Sequence, residues 1–296
     1  MKNPVFTGAA VAIITPMKED GSVNYDEFAK FIDFQIDNGT DAIVIVGTTG
    51  ESSTLEIDEH NECIKWCIDY VNHRVPVIAG TGSNSTKTAI ELSQEASKNG
   101  ADALLLVTPY YNKTSQRGLI AHYTAIHDAT DLPIILYNVP SRTGVNIAPE
   151  TAYELSKLPR INGIKEASGN LDQVAKIHEL CGDELNIWSG NDDQIYDLLE
   201  RGGKGVISVL SNVAPQETHD IVATYLNGDK VASKALMDKY LKLAKAMFID
   251  VNPIPVKEAV TLAGFNAGPC RLPLIEMDEK NKAYLKETME EYGLVK

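Results

Sequence analysis

Residues 101–139 read ADALLLVTPYYNKTSQRGLIAHYTAIHDATDLPIILYNV, and this stretch decides the fold. Its two apolar runs, Ala101–Thr108 and Pro133–Val139, are rich in Leu, Ile and Val, which is typical of strands that are buried on both faces. The segment between them, Gly118–Asp128, has the apolar spacing of an amphipathic helix. A strand, a helix and a second strand in this order predict two parallel strands that are joined by a right-handed crossover.

The same alternation runs through most of the chain. Six further apolar runs predict strands at Ala9–Ile14, Asp41–Gly47, Val75–Gly80, Ile161–Ala167, Asn186–Gly190 and Gly205–Val209. Amphipathic segments such as Tyr25–Asp37 and Thr86–Asn99 fill the gaps, and helix C-caps are expected at Gly39, Gly100 and Gly182. Eight strand–helix units predict an α/β fold of the (β/α)8 TIM-barrel type. A doubly wound open sheet is the alternative, but the chain lacks the Gly-x-Gly-x-x-Gly fingerprint of that fold.

The alternation stops after Val209. Pro215–Leu226 is expected to complete the eighth unit, and three more helices are predicted with no strand between them, at Val231–Phe248, Ile254–Gly264 and Glu279–Tyr292. We therefore predict a barrel over residues 1–228 and a C-terminal α-helical extension over residues 229–296 that packs on the barrel.

The composition excludes several classes of protein. With 44% hydrophobic and 23% charged residues, the 296-residue chain has an ordinary globular balance. A net charge of -14 argues against nucleic-acid binding, and it means that local positive groups must attract any anionic substrate. No apolar run approaches the roughly 18 residues of a membrane helix, no signal-peptide core follows Met1, and the four cysteines are sparse. These features predict a soluble cytoplasmic protein with neither nucleic acid nor membrane as a partner.

Lys165 is the most unusual residue on a predicted strand. The period of two along a strand puts Gly163 and Lys165 on the same face, inside the predicted barrel. Such a lysine can pair with a buried carboxylate or extend to solvent from the strand end. Alternatively, it can be the nucleophile of a Schiff-base enzyme. An ordinary pKa near 10.4 leaves only about one lysine in 2,500 neutral at pH 7, and desolvation enlarges that fraction.

Other polar side chains follow the predicted strands at the end where barrel enzymes carry their active sites. Tyr137 has the inward parity of Val139, although core packing would explain a buried tyrosine equally well. The turn Gly47-Thr48-Thr49-Gly50 offers two hydroxyls and a flexible backbone, or it is a plain loop cap. Arg142 could bind a carboxylate through two parallel hydrogen bonds, or it could form a surface salt bridge.

Three motifs together resemble the dihydrodipicolinate synthase family, which lies in the N-acetylneuraminate lyase superfamily of class I Schiff-base aldolases. They are GTTGE at Gly47–Glu51, YNVPSRTG at Tyr137–Gly144 and IKEAS at Ile164–Ser168, and the similarity extends from about Thr7 to the C-terminal helices. The resemblance implies condensation of pyruvate with L-aspartate 4-semialdehyde, the first committed step of lysine biosynthesis through diaminopimelate. It implies no metal or other cofactor, because the pyruvate imine itself stabilises the carbanion.

The resemblance also assigns a role to each site residue. Lys165 forms the imine, and a hydroxyl relay consists of Tyr137, Thr48 and Tyr111. Substrate binding is assigned to Thr49, Arg142, Gly190 and Ile207. In the family the residue that matches Tyr111 reaches in from a neighbouring subunit, which implies a homo-oligomer, usually a tetramer built as a dimer of dimers.

Two alternatives remain open. One is a sugar-acid aldolase such as N-acetylneuraminate lyase, although such enzymes generally lack the paired threonines and the Arg-Thr-Gly that follows the fifth strand. The other is a catalytically inactive ligand-binding barrel, which would be expected to lose Lys165 or the hydroxyl relay.

A regulatory cleft is a further implication. Some family members bind lysine at the dimer interface, in a cleft whose positions match Ser52, His60, Asn84 and Tyr110. Ile57 stands where histidine is common and Thr88 where glutamate is common. Loss of that carboxylate removes the partner of a ligand ammonium, so lysine inhibition is expected to be weak or absent.

Two remaining patterns receive structural interpretations. His60, Cys63 and Cys67 share one helix face, but no fourth metal ligand is evident, so buried packing is favoured over metal binding. Asp192 and Asp193 are interpreted as charges at a helix N-terminus, which is favoured over a place at the mouth of the active site.

Overall fold

Eight parallel strands close into a barrel in the computed structural model, which covers residues 1–296. They follow one another around the barrel in chain order, and the first pairs with both the second and the eighth. The strands are β1 (Gly8–Ala12), β2 (Ala42–Ile45), β3 (Val77–Gly80), β4 (Ala103–Val107), β5 (Ile134–Asn138), β6 (Ile161–Glu166), β7 (Asn186–Ser189) and β8 (Gly205–Ser208). All eight predicted strands are present, and their bounds differ from those of the predicted runs by at most two residues at either end.

Helices surround the barrel and connect its strands. They are α1 (Tyr25–Asp37), α2 (Ile57–Val71), α3 (Thr86–Lys98), α4 (Gln116–Asp128), α5 (Pro140–Thr143), α6 (Pro149–Ser156), α7 (Leu171–Cys181), α8 (Ile195–Leu199) and α9 (Pro215–Leu226). Gly39 and Gly100 follow the ends of α1 and α3 with φ angles of 86° and 91°. Gly182 is the C-cap of α7, with a φ of 50°. Glycine adopts positive φ angles at little cost, so all three predicted C-caps are confirmed.

The interior of the barrel is filled with side chains. Small residues such as Ala10 and Ala42 face inward, and the indole of Trp188 stacks on Phe6 with ring centroids 5.0 Å apart. Gly163 makes room for that indole, because a Cβ at this position would lie 2.4 Å from Cζ3 of Trp188. The packed interior leaves the C-terminal ends of the strands as the place for a cavity.

The C-terminal extension consists of α10 (Lys230–Ala246), α11 (Ile254–Leu262) and α12 (Glu279–Glu291). Its apolar residues, including Met237, Val256 and Leu285, belong to the hydrophobic core that lies between the strands and the outer helices. The barrel with a helical C-terminal extension is therefore confirmed, while the division at residue 228 stays a prediction. None of the helices combines the length and the apolar character that crossing a bilayer requires.

Candidate active site

A cavity of about 270 Å³ opens at the C-terminal ends of the strands. Six of the residues that the sequence assigned to catalysis or substrate binding line it, namely Thr48, Thr49, Tyr137, Arg142, Lys165 and Gly190. They follow or lie on β2, β5, β6 and β7. Barrel closure therefore brings together side chains that are up to 142 residues apart in the chain.

Lys165 projects into this cavity from β6, in register with Tyr137 on β5 and Trp188 on β7. The residue is only 6% exposed, and its amino group forms no hydrogen bond or ion pair within the chain. Burial lowers the pKa of Lys165 from 10.5 to about 8, against an opposing effect of the Asp192 carboxylate. About one amine in ten is then neutral at pH 7, which makes Lys165 a competent nucleophile.

Gly190 creates the space that the Lys165 side chain occupies. A Cβ at this position would lie 2.6 Å from Cβ of Ala167 and 3.0 Å from Cε of Lys165. Real Cβ atoms do not approach other carbons so closely, so any larger residue would displace the lysine or the neighbouring strand. The structure thus gives a steric reason for glycine here.

The turn after β2 presents unpaired backbone donors to the cavity. Val46 leaves the strand with a φ of 47°, a strained conformation for a β-branched residue. The N–H groups of Thr48 and Thr49 then donate to no other group of the chain. Adjacent free N–H groups of this kind form an anion-binding concavity.

Tyr137 stands beside Lys165, with the lysine amino group 4.4 Å from the centroid of its ring. Burial raises the pKa of the Tyr137 phenol, while the Arg142 charge and the adjacent Thr48 hydroxyl partly oppose that effect. The phenol is therefore neutral at pH 7 and can pass a proton through its hydroxyl.

The lining of the cavity is positively charged although the chain as a whole carries -14. Lys165 and Arg142 are its only basic side chains, and none of the lining residues is an aspartate or a glutamate. Arg142 is exposed at the mouth and forms no ion pair with a carboxylate of the chain. Its guanidinium is thus available to an anionic ligand.

Asp192 is a functional candidate whose predicted place at a helix N-terminus is confirmed, although its side chain is buried. It does stand in the first turn of a short 3-10 helix, Asp192–Gln194, but the residue is 2% exposed. Its Oδ2 accepts hydrogen bonds from the backbone N–H groups of Val209 and Leu210, at 3.0 and 2.9 Å, and its Oδ1 has no partner. The carboxyl group therefore lies buried behind the cavity wall, and burial raises its pKa from the usual range.

Glu166 and Asn138 join the two strands that carry Lys165 and Tyr137. Asn138 and Glu166 are paired in register, one position beyond Tyr137 and Lys165, and their side chains point away from the cavity. Asn138 Nδ2 donates to Glu166 Oε2 at 2.9 Å, and the N–H of Ser168 donates to Glu166 Oε1 at 2.6 Å. Both residues belong to the quoted motifs, so alternation along the strands could have suggested this outward-facing pair.

A buried ion pair ties the C-terminal extension to the threonine turn. Lys257 Nζ on α11 lies 2.8 Å from Glu51 Oε1, and both side chains are almost fully buried. The backbone N–H of Arg271 donates to Glu51 Oε2 at 2.8 Å, and Lys257 Nζ also donates to Pro269 O at 2.7 Å. Glu51 is therefore saturated with partners from the extension, which no local sequence pattern predicted.

Two predicted site residues lie outside this cavity. Ile207 is fully buried in the barrel interior, paired in register with Ala10, whereas Ala12 and Val209 line the cavity one layer above. Tyr111 is 91% exposed and has a φ of 68°. Within one chain the structure thus brings neither residue to the cavity, and the roles assigned to them stay predictions.

A second cavity of about 390 Å³ adjoins the first. Three of the four residues assigned to a regulatory cleft line it, Ser52, His60 and Tyr110, and so do Ile57 and Thr88. The fourth, Asn84, lies beside it and donates from Nδ2 to Tyr110 O at 3.2 Å. No aspartate or glutamate of the chain lines this second cavity.

His60, Cys63 and Cys67 do not converge on a common point that could hold a metal ion. His60 Nε2 lies 3.0 Å from Gly80 O, and burial raises the pKa of both cysteine thiols. The three side chains are packed in the interior as neutral groups.

Comparison with known proteins identifies relatives along nearly the whole chain. Residues 5–292 match the Dihydrodipicolinate synthetase family. A 4-hydroxy-tetrahydrodipicolinate synthase from Caldicellulosiruptor saccharolyticus is 57% identical over 291 residues, which is 98% of either chain. The solved dihydrodipicolinate synthase from Thermotoga maritima superimposes with a TM-score of 0.96 at 42% identity, over 98% of this chain and 100% of that one. The chloride-inhibited dihydrodipicolinate synthase from Acinetobacter baumannii, solved with pyruvate, gives the same TM-score and identity over 98% and 99% of the two chains.

These relationships confirm the predicted barrel, the predicted family and the lyase-type synthase activity in lysine biosynthesis that its members carry. They give no support to the sugar-acid aldolase or to the inactive barrel. The three sequence motifs, the fold and the relatives agree, and the chain belongs to the dihydrodipicolinate synthetase family.

Proposed function

We propose that the chain condenses pyruvate with L-aspartate 4-semialdehyde through an imine on Lys165. The observation that carries this proposal is a buried, unpartnered lysine in a positively charged cavity. Its neutral amine attacks the carbonyl carbon of pyruvate, and water leaves as the imine forms. Loss of a proton from the pyruvate methyl gives an enamine, which attacks the aldehyde carbon. The amino group of the semialdehyde then displaces Lys165, closes the ring and regenerates the free amine.

Two groups of donors are proposed to hold the substrate carboxylates. The N–H groups and the hydroxyl of the Thr48–Thr49 turn face the space next to Lys165, where the carboxylate of bound pyruvate would lie. Arg142 at the mouth is suited to the carboxylate of the semialdehyde, which arrives second. Gly190 contributes by leaving room for the imine.

Proton transfer is assigned to Tyr137 and Thr48, whose hydroxyls are neighbours beside the lysine. The imine on Lys165 takes the part of an electron sink, so the proposed chemistry requires no other cofactor. A neutral phenol that receives one proton as it releases another can relay the methyl proton without ionising fully.

The first experiment measures condensation of the two substrates in the purified protein, coupled to NADPH-dependent reduction of the product. We expect a turnover of at least about 1 s⁻¹, which is ordinary for an enzyme. Lys165→Ala should abolish both turnover and the borohydride-trapped pyruvate adduct, whereas Arg142→Ala should keep the adduct and lose affinity for the semialdehyde. If the wild-type protein traps pyruvate but does not turn over the semialdehyde, only the assignment of the second substrate is contradicted.

We also propose that Tyr111 completes the active site of a neighbouring subunit in a homo-oligomer, as a dimer of dimers. Its side chain is 91% exposed and cannot serve its own cavity in this conformation. Co-expression of Tyr111→Ala with Lys165→Ala tests this arrangement, because a mixed dimer contains one site with both residues intact. Statistical mixing should restore about a quarter of the wild-type rate. No restoration would place Tyr111 in its own site, and a monomer in solution would exclude the arrangement.

We propose that lysine binds weakly or not at all in the second cavity and therefore inhibits the protein weakly or not at all. Ile57 and Thr88 line this cavity, and it offers no carboxylate of this chain to a ligand ammonium. Thr88→Glu supplies such a carboxylate and should increase sensitivity to lysine. Strong inhibition of the wild-type protein at sub-millimolar lysine would contradict the prediction.

The cytoplasm is the proposed location. All four cysteines are free, and three of them are buried. Unpaired thiols are typical of reducing compartments. Fractionation of cells that express the protein from its own gene would test this assignment.

A further inference from the structure

Asn252 brings the C-terminal extension into the active site. It lies between α10 and α11, lines the cavity and is 5% exposed. Its side-chain Nδ2 donates to Thr49 Oγ1 at 3.1 Å, and its backbone oxygen accepts from Arg142 Nη2 at 3.1 Å. One residue therefore contacts both of the groups to which the proposed function assigns a substrate carboxylate.

The direction of the first hydrogen bond matters for binding. Because Thr49 Oγ1 accepts the proton from Asn252, the hydroxyl hydrogen of Thr49 points elsewhere, and it donates to no other group of the chain. The free hydroxyl hydrogen adds to the free N–H groups of Thr48 and Thr49. An anion in the cavity would thus meet three donors from one turn, and Asn252 ensures that the hydroxyl is one of them.

The same segment of the extension holds this turn at a second point. Five residues after Asn252, Lys257 forms the buried ion pair with Glu51, which lies two residues after Thr49. The segment therefore contacts the turn at two points, Thr49 and Glu51.

We infer that Asn252 is a positioning residue that sets Thr49 as a hydrogen-bond donor to the pyruvate carboxylate and anchors Arg142. This inference rests on the proposed function, because it names the groups that act on that substrate. It assigns to the C-terminal extension a part in selecting an anionic keto acid, in addition to its packing on the barrel.

Two substitutions separate hydrogen-bond direction from general packing. Asn252→Ala removes the donor, and we expect the KM for pyruvate to rise about five- to tenfold with kcat within about threefold of the wild type. Asn252→Asp is nearly isosteric, but its carboxylate accepts the Thr49 hydroxyl proton and adds a negative charge. The KM for pyruvate should then rise about 100-fold at pH 8.

The pH dependence provides a signature that a structural role would not produce. Below the pKa of the introduced carboxyl, Asn252→Asp regains a donor and loses its charge. The ratio of its KM to that of Asn252→Ala, measured at the same pH, should therefore fall toward one or below as the pH decreases. Taking the ratio removes the part of the Lys165 titration that both variants share.

Asn162→Asp is the matched control. Asn162 is also buried, but it lies at the opposite end of the barrel, where its Nδ2 donates to Asn3 O at 2.8 Å. This variant should lower the melting temperature and leave the KM for pyruvate unchanged. If the KM for pyruvate rises as much in Asn162→Asp as in Asn252→Asp, destabilisation alone explains the rise in Asn252→Asp.

The remaining outcomes are distinguishable. A wild-type KM in Asn252→Asp would show that Thr49 donates to residue 252, which overturns the inference. A fall in kcat without a change in KM in Asn252→Ala would overturn it as well. Borohydride trapping provides an independent measure of the affinity for pyruvate. If the wild type traps no pyruvate, the proposed function is contradicted. If both Asn252 variants trap pyruvate as efficiently as the wild type, only the inference is contradicted.

Discussion

Replacing Lys165 by methionine should stabilise the fold while abolishing catalysis. The amine is buried, has no hydrogen-bond or ion-pair partner, and has its pKa lowered from 10.5 to about 8. In the unfolded chain the lysine stays protonated up to pH 10.5. The folded state therefore binds fewer protons than the unfolded state between pH 8 and 10.5, and stability rises with pH across that window.

The pKa difference sets the size of the effect. Each pKa unit corresponds to about 1.4 kcal/mol, so holding the charged lysine in the folded barrel at pH 7 costs about 3 kcal/mol. Methionine has a similar length and no charge, and it suits an apolar site. We expect the free energy of unfolding of Lys165→Met to exceed that of the wild type by up to about 3 kcal/mol below pH 8. The gain should disappear as the pH rises to 10.5.

Urea and thermal unfolding at pH 7 and at pH 10, at one fixed protein concentration, would measure this difference. Lys257→Met is the matched control, because Lys257 is equally buried but paired with Glu51. Removing it leaves an unpaired buried carboxylate and should destabilise the protein by about 3–5 kcal/mol. Lower stability of Lys165→Met at pH 7, or the same gain at both pH values, would refute the electrostatic reasoning.

Further predictions follow from the geometry of the same site. Borohydride trapping of the pyruvate imine on Lys165 should accelerate about tenfold per pH unit below pH 8 and level off above it, and a continued rise through pH 10 would contradict the lowered pKa. Asp192→Asn removes the buried charge that opposes this lowering, so the plateau should begin at a lower pH, whereas an unchanged trapping profile would show that the two groups are not coupled. Gly190→Ala should reduce kcat about 100-fold in a folded protein, because its Cβ displaces the lysine, and a wild-type rate would mean that the side chain adjusts freely. Glu51→Gln combined with Lys257→Met should melt at a higher temperature than Lys257→Met alone, since no unpaired carboxylate remains, and the reverse order would contradict an ion pair.

The sequence by itself determined the barrel and most of its active site. Eight apolar runs separated by amphipathic helices leave few ways to bury every strand, and a closed barrel is one of them. Alternation along each strand then placed Lys165 and Tyr137 on the inner face, where the structure has them. The position of the threonine turn followed from the rule that barrel sites form at the C-terminal ends of strands.

The tertiary structure alone decided how deep in the barrel each inward-facing side chain lies. Ile207 and Val209 share the same inward parity, yet only Val209 reaches the cavity. The stagger between neighbouring strands sets which layer of side chains forms the cavity floor, and that stagger is a property of the closed sheet. The sequence of one strand shows which side chains point inward, whereas the layer that each side chain occupies depends on all eight strands.

Contacts with the C-terminal extension were also decided only by the tertiary structure. Asn252 bonds to Thr49 and Lys257 to Glu51, across separations of 203 and 206 residues. Neither pair has a periodic or local signature, because a hydrogen bond or an ion pair depends on where two distant segments meet. Periodicity specifies which face of a helix or strand is buried. Only the packing of the whole chain determines which polar groups of distant segments come into contact with that face.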